Sequence, residues 1–264
     1  MSESITNDDD LKQYIEAAMK KNPSGRTMCL EHQGKRIWVK KAEEVRNKTW
    51  LKFSRWLCIK LGLSILQPGA DPDGKKAVRF EAGRLKRLAA KHLPVPHLVA
   101  SGHDWLALED GGRNLCDIMG DREISPEEKR RLAVQAAEMI AQFHAAGVHH
   151  GRPAVKDMAY DGKMLRLLDF EDGIMLRVSR SRRLQRDLLL FLQSLIKETG
   201  DPMLAQEALK AYGGLMPREA RAACAYFAGF KGLYIFFRYF LRYFGSDLET
   251  TYQVLRLFHE EELN

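Results

Sequence analysis

The residues of this chain that could do chemistry lie close together, between positions 148 and 171. The segment Val148–Asp157 reads VHHGRPAVKD, and a second aspartate, Asp169, follows the apolar run LRLL. A carboxylate that ends an apolar strand suits a divalent metal ion, because hard cations take oxygen ligands. The simpler alternatives are a strand-end turn for Asp169 and a turn cap for Asp157. The pattern therefore predicts two carboxylates that could bind one metal ion.

Arg152 lies between the histidines and Asp157 and limits the chemistry of this segment. A guanidinium stays protonated at any working pH, so Arg152 cannot act as a general base. Its planar set of donors could instead bind a phosphate group. A salt bridge is the alternative. His150 is interpreted as a structural hydrogen-bonding residue and His149 as its neighbour.

Two elements must position these residues. The sequence Ser125-Pro-Glu-Glu128 is a strong helix start, and the helix is predicted to run to about Ala145 and to deliver the histidines. After Asp157, the runs 158–160 and 164–168 predict a β-hairpin that ends on Asp169. Asp187 is predicted to open an apolar helix over 188–196, and helices continue to residue 263.

The amino half alternates strands and helices. A helix is predicted over 8–21, and the strand-like runs 26–31 and 36–41 flank His32-Gln-Gly-Lys35, which is a hairpin signal. Residues 41–68 are predicted to be helical, and a further helix over 77–92 carries Glu81. Two short strands, 98–102 and 105–108, lead into Glu109-Asp-Gly-Gly112.

Composition limits the class of protein and of partner. The 264 residues are 45% hydrophobic and 29% charged, which is typical of a globular protein with an ample core. The net charge of +7 favours anionic partners. The four cysteines are scattered, which argues for reduced thiols in a cytoplasm and against a zinc site. The acidic amino terminus is unlike a secretory signal, and no run of about eighteen apolar residues could span a bilayer.

Five motifs occur in the order found in protein-kinase-like folds: Lys40, Glu81, Glu109–Gly112, His150–Asp157 and Asp169. The amino half is similar more specifically to the bacterial lipopolysaccharide kinases, a family of Kdo and heptose kinases. That similarity is carried by Arg26-Thr27, GKRIWVK over 34–40, the helical insert with Trp50 to Leu66, and Glu81 to Pro96. The resemblance covers about residues 24–195.

The resemblance implies a fold, cofactors and site roles. It implies an α+β, two-lobed chain with a small antiparallel amino lobe over 1–110 and a mainly helical carboxyl lobe over 111–264. ATP and magnesium would be the cofactors, and a hydroxyl of a sugar, a lipid or a protein would be phosphorylated. The resemblance implies that Lys40, or its neighbour Lys41, binds phosphate and pairs with Glu81, and that Glu109 and Gly111 form the adenine hinge. Asp157 and Asp169 would be catalytic residues that bind magnesium, and Asp157 could also orient the nucleophile in the absence of the usual base. Asp187 would hold the loop backbone.

The chain also departs from the family pattern. There is no GxGxxG motif, Glu171 replaces a glycine after Asp169, and Arg152 stands where the catalytic aspartate is expected. The two hypotheses are therefore an active kinase and a catalytically silent pseudokinase that binds nucleotide or partners.

The arginine run over 177–186 suits an anionic acceptor, such as lipopolysaccharide or phospholipid, or an anionic membrane surface; a solvated basic face is the alternative. The aromatic stretch over 230–244 is interpreted as core, with membrane contact as the alternative. A protein partner is also open, nucleic acid is disfavoured, and the expected location is the cytoplasm, with peripheral contact to the inner membrane as an option.

Overall fold

The computed structural model describes residues 3–23, 25–42, 74–170, 178–229 and 246–263. Four predictions therefore fall outside the described residues in whole or in most part. They are the helical insert, the substitution at Glu171, the arginine at 177 and the aromatic stretch over 230–244. The remaining predictions can be compared with the structure directly.

A four-stranded antiparallel sheet forms the amino part, with β1 at Thr27–His32, β2 at Lys35–Lys41, β3 at Leu98–Ser101 and β4 at Trp105–Glu109. The strand order is β1-β2-β4-β3. Gln33 and Gly34 join the first two strands with φ values of 52° and 72°, the positive values that a tight two-residue hairpin turn requires. The predicted hairpin is therefore confirmed.

Two helices pack against this sheet, and the second of them also contacts the carboxyl part of the chain. Helix α1, Glu3–Lys21, buries Leu11 and Ile15 in a core shared with Val39 of β2. Helix α2, Gly74–Ala89, packs Val78 and Ala82 against Leu106 of β4. Its later residues Leu85 and Leu88 belong to the large core of the carboxyl part, so α2 contacts both parts.

The carboxyl part is mainly helical. Its helices are α3 at Leu115–Gly120, α4 at Pro126–Ala145, α5 at Arg180–Thr199, α6 at Pro202–Leu215, α7 at Pro217–Ala228 and α8 at Ser246–Leu263. A three-stranded antiparallel sheet lies among them, with β5 at Arg113–Asn114, β6 at Met158–Tyr160 and β7 at Leu165–Leu167. The predicted α+β class, with a small antiparallel sheet followed by a mainly helical part, is confirmed.

Local signals explain most element boundaries, with one clear error. Ser125 caps α4 as predicted, its side chain accepting a hydrogen bond from the Glu128 amide at 3.2 Å. Helix α5 begins at Arg180, with Ser179 as its N-cap, so the prediction that Asp187 opens this helix was wrong. The arginine-rich first turns read as polar in sequence, yet they continue the same amphipathic helix. Within the described residues, no helix combines the length and apolarity that crossing a bilayer needs.

Candidate functional site

A cavity of about 660 Å³ lies between the amino sheet and the β6–β7 hairpin. Its walls come from β1, β2 and β4, from Glu81 of α2, from the segment after β4, and from the two strand ends of the hairpin. Five of the residues predicted from sequence line it: Lys40, Glu81, Glu109, Gly111 and Asp169. The chain therefore brings residues that are far apart in sequence to one cleft.

Lys40 reaches the cavity because of strand alternation. Ile37 and Val39 of β2 are buried in the core, so Arg36, Trp38 and Lys40 lie on the opposite, cavity-facing side. The Lys40 Nζ donates to Glu81 Oε2 at 2.9 Å and to Asp169 Oδ1 at 2.6 Å.

Lys41, the register alternative, points elsewhere. Its Nζ donates to the carbonyl of Asn22, on the side of the sheet that α1 covers.

Asp169 follows β7 directly, with a left-handed φ of 59°. Burial alone would raise the pKa of this carboxyl, but the charge of Lys40 and its hydrogen bond outweigh burial and hold the pKa below its ordinary value. Asp169 is therefore charged at neutral pH and faces both the lysine and the cavity.

Asp157 lies beside the strand end that carries Asp169. It ends the short 3₁₀ turn Val155–Asp157, and its carbonyl accepts a hydrogen bond from the Leu168 amide at 2.7 Å. The side chain is buried, and its Oδ2 has no hydrogen-bond partner among the described residues. Burial, and next the charge of Asp169, raise the pKa of Asp157 to about 6.

An orphaned buried carboxylate oxygen next to a second carboxylate fits a divalent cation. Magnesium is held in phosphate-transferring proteins by one or two carboxylates plus substrate oxygens. Asp157 and Asp169 would supply that donor set. A bound cation would offset the cost of burying the Asp157 charge and its repulsion by Asp169, which are the two causes that raise the pKa of Asp157. Among the described residues, no group of three or more potential metal-ligating side chains occurs.

The loop before Asp157 is fixed by hydrogen bonds to its backbone. Asp187, fully buried in the middle of α5, accepts from the amides of His150 at 2.5 Å and Gly151 at 2.9 Å. The Nε of Arg186 donates to the Gly151 carbonyl at 2.9 Å. From the other side, Arg84 of α2 donates to the carbonyl of His149. Asp187 thus has the loop-holding role that the resemblance implies, and the N-cap interpretation is excluded.

His150 is part of this scaffold. Its Nε2 lies 2.8 Å from the Leu168 carbonyl, and its ring contacts the Phe170 ring at a centroid distance of 4.9 Å. His150 therefore ties the loop to the strand end that carries Asp169. His149 is mostly buried, and burial is the main cause that lowers its pKa to about 4.

A strand lysine paired with a helix glutamate, a strand-end aspartate beside them and a loop held by a buried helix aspartate form one arrangement. Such a set belongs to protein kinases, where the lysine–glutamate pair and the metal-binding aspartate must all be in place. The arrangement of these side chains therefore resembles the one in protein kinases.

Arg152, which the resemblance aligns with the catalytic aspartate, has an exposed side chain and is not among the residues that line the cavity. Its amide donates to His150 Nδ1 at 3.4 Å. Its positive charge opposes the rise in the pKa of Asp157 and adds to the lowering of the pKa of Asp169. The role of Arg152 in the site stays a prediction.

The segment after β4, which is the predicted hinge, is held by Asp110, a residue of that motif to which the sequence assigned no role of its own. Asp110 accepts from Arg36 at 2.5 Å, from the Trp38 indole at 3.1 Å and from the Gly112 amide at 3.2 Å. Gly112 has a φ of 96°, and a Cβ there would lie 2.2 Å from the Tyr160 carbonyl oxygen, so only glycine fits. Asp110 thus attaches the segment that carries Glu109 and Gly111 to β2, the strand of Arg36 and Trp38.

Trp38 and Arg84 were also missed. The alternation of β2 could have placed Trp38 on the face of Lys40, because the two residues are two positions apart. No local pattern could have shown that Arg84 contacts the backbone carbonyl of a loop 65 residues away.

The described arginines of the run make hydrogen bonds within the protein. Arg180 donates to the His144 carbonyl at 3.3 Å, Arg183 to the Val178 carbonyl at 3.0 Å, and Arg182 to Gln185 at 2.9 Å. With Arg186, all four described arginines of the run hydrogen-bond within the protein. These bonds help to order the first turns of α5, and binding of an anionic acceptor or membrane surface by the run stays a prediction.

Comparison with known proteins gives distant similarities. No family model matches the chain. An uncharacterized protein from Haemophilus influenzae is 24% identical over 256 residues, which is 95% of this chain and 96% of that protein. WaaP in complex with acyl carrier protein aligns over 75% of this chain and 83% of its own, with 18% identity and a TM-score of 0.45. A type VIII aminoglycoside-3'-phosphotransferase aligns over 89% of both chains, with 17% identity and a TM-score of 0.47.

Proposed function

We propose that this protein is an ATP-dependent phosphotransferase. The observation that carries the proposal is the position of Lys40, whose Nζ bonds to both Glu81 and Asp169 inside the cavity. A lysine held in this way is placed to bind the α- and β-phosphates of ATP, as in protein kinases. Asp157 and Asp169 would hold magnesium, which would neutralise charge on the transferred phosphoryl group.

The cavity also has a slot for a nucleobase. Trp38 and Leu108 are paired across β2 and β4 and form one wall, and Ala159 and Leu168 lie on the other side. Bases stack well on indole rings. The backbone of Glu109 and Gly111 borders the slot, where a hinge would hydrogen-bond to adenine.

Thermal unfolding with ATP and MgCl₂ tests this proposal, with Lys40→Met as the test variant and Lys41→Met as the matched control. At about one hundred times Kd, a ligand adds about 2.7 kcal/mol of stability. For a chain of this size that corresponds to a rise in Tm of about 5–10 °C. We expect the rise in the wild type and in Lys41→Met, and its loss in Lys40→Met.

The variant Asp169→Asn tests the contribution of magnesium to the Tm rise separately from that of ATP. We expect this variant to lose the part of the Tm rise that depends on MgCl₂. An equal rise in the wild type and in Lys40→Met would contradict the proposed site, because ATP would then bind elsewhere.

A silent kinase-like module is the second candidate, and Arg152 is the observation that favours it. The exposed guanidinium replaces the residue that would accept or orient the proton of an alcohol. Such a module would show the Tm rise with ATP and no phosphoryl transfer. A gain of transfer to alcohols in Arg152→Asp would indicate a kinase that lost its base.

The acceptor is the least constrained part of the proposal. The resemblance implies a sugar, lipid or protein hydroxyl, with lipopolysaccharide as the named class. The net charge of +7 agrees with an anionic acceptor or an anionic membrane surface. A cytoplasmic location with peripheral contact to the inner membrane, or a protein partner, follows from the same resemblance.

A further inference from the structure

Arg152 extends from a fixed point of the loop. The residue before it, Gly151, is held on both sides, its amide by Asp187 and its carbonyl by Arg186, each at 2.9 Å. Both partners are buried in α5. The backbone that carries Arg152 is therefore fixed, and its side chain is exposed where a ligand can reach it.

Two exposed cations of the loop act on the carboxylate pair. Arg152 and Lys156 are both exposed, and both act electrostatically on Asp157. The backbone of Lys156 is anchored too, because Asn114 Nδ2 donates to its carbonyl at 2.6 Å. An anionic ligand that approaches the carboxylates from the loop would be attracted by Arg152 and Lys156.

The two histidines of the loop are poor acceptors for the proton of an alcohol. His150 has its Nε2 on the Leu168 carbonyl. Burial lowers the pKa of His149 to about 4, so it binds a proton weakly at neutral pH. The carboxylates of Asp157 and Asp169 are the groups that would hold magnesium.

We propose that the acceptor of the phosphoryl group is an oxyanion, a carboxylate or phosphate oxygen, that Arg152 binds. This inference rests on the proposed phosphotransferase function. The bond that forms joins the acceptor oxygen to the γ-phosphorus, and the bond that breaks joins that phosphorus to the β–γ bridging oxygen. The electron pair leaves with ADP, and no proton is released, because the nucleophile already carries a lone pair and a negative charge.

This chemistry needs no base, so an arginine in the place of the catalytic aspartate is appropriate to it. Two anions must approach each other, and their repulsion must be offset by fixed positive charge. In the proposed complex, Lys40 would supply that charge on the nucleotide side, and Arg152 with Lys156, whose charges act on Asp157, would supply it on the acceptor side. A guanidinium binds the two oxygens of a carboxylate or phosphate through paired hydrogen bonds. The product is an acyl phosphate or a phosphoanhydride.

The test offers radiolabelled ATP with MgCl₂ and a panel of acceptors: inorganic phosphate, succinate, glycerol 3-phosphate, and the neutral alcohols glycerol and glucose. An acyl phosphate is cleaved by hydroxylamine and a phosphoanhydride by brief heating in dilute acid, whereas a phosphate ester resists both. We expect labelled product from at least one oxyanion, of the cleavable kind. Label on a hydroxyl alone, or on no acceptor at all, overturns the inference.

Arg152→Gln is compared with Arg130→Gln, which removes the same charge from an exposed site on α4. A charge-assisted hydrogen bond is worth a factor of about ten to one hundred. We expect kcat/KM for the oxyanion acceptor to fall by that factor in Arg152→Gln only, and partial rescue by Arg152→Lys. Equal rates in the two glutamine variants overturn the role of Arg152.

The two levels of the proposal fail in different ways. Loss of the Tm rise with ATP and MgCl₂ removes the phosphotransferase function itself. A normal rise without transfer to any oxyanion removes only the acceptor assignment.

Discussion

Replacing Asp187 by alanine should destabilise the protein more than any other single change of a charged residue in α5. Its carboxylate is fully buried and accepts two loop amides, from His150 and Gly151, while His144 Nε2 lies 3.4 Å away. Alanine removes the acceptor and leaves both amides buried without it.

The magnitude follows from these contacts. Each buried donor left unsatisfied costs about 1–3 kcal/mol, and breaking a buried charged group away from its partners costs about 3–5 kcal/mol. We therefore expect the free energy of unfolding to fall by about 3–5 kcal/mol. This is a large fraction of the roughly 5–15 kcal/mol that a typical domain possesses.

Urea denaturation followed by circular dichroism measures this change. Glu198→Ala, at an exposed position of the same helix, is the control and should change stability by less than about 1 kcal/mol. A loss in Asp187→Ala no larger than in the control would refute the idea that this carboxylate holds the loop.

The same residue should make stability depend on acid pH. Burial opposes the charged form of Asp187, but the hydrogen bond and charge of His144, followed by His150, hold its pKa below the ordinary value. A depressed pKa in the folded state adds stability above the unfolded pKa of about 3.9, and this is lost as pH falls toward the folded pKa. The wild type should therefore lose more stability than Asp187→Asn as pH drops below about 4.

Three further changes test other contacts. Gly112→Ala should destabilise by at least about 1 kcal/mol more than Gly162→Ala, because both glycines have a φ near 95° but only a Cβ at 112 meets a carbonyl at 2.2 Å; urea denaturation compares them. Tyr212→Phe should cost about 1–3 kcal/mol in the same assay, because its hydroxyl lies 2.8 Å from Nδ1 of the buried His144; no loss would show that this contact is dispensable. Trp38→Ala should weaken ATP binding about tenfold or more, since stacking of a base is worth about 1–3 kcal/mol; unchanged binding in a titration would place the base elsewhere.

The order of motifs in the sequence was enough to predict the architecture and much of the cleft. Lys40 and Glu81 are 41 residues apart, yet their pairing was expected, because the resemblance ties a strand lysine to a helix glutamate. The hairpin ending on Asp169 was expected from its apolar run and its turn residues.

Two kinds of feature could not be predicted. The start of α5 was missed because its first turns are rich in arginine, and the partners that order those side chains come from elsewhere in the chain, such as the His144 carbonyl. Contacts between a side chain and a distant backbone group, as at Arg84 and Asp110, leave no periodic signal in sequence. They form only because the tertiary fold brings residues that are distant in sequence close together.

Helix α2 has a mechanical consequence. Glu81 and Arg84 lie one turn apart. Glu81 accepts a hydrogen bond from Lys40, and Arg84 donates one to the carbonyl of His149 in the loop that carries Arg152. A tilt of this helix would therefore weaken both hydrogen bonds together. A partner that binds and tilts α2 would displace Lys40 and the loop of Arg152 in a single movement, without entering the cleft.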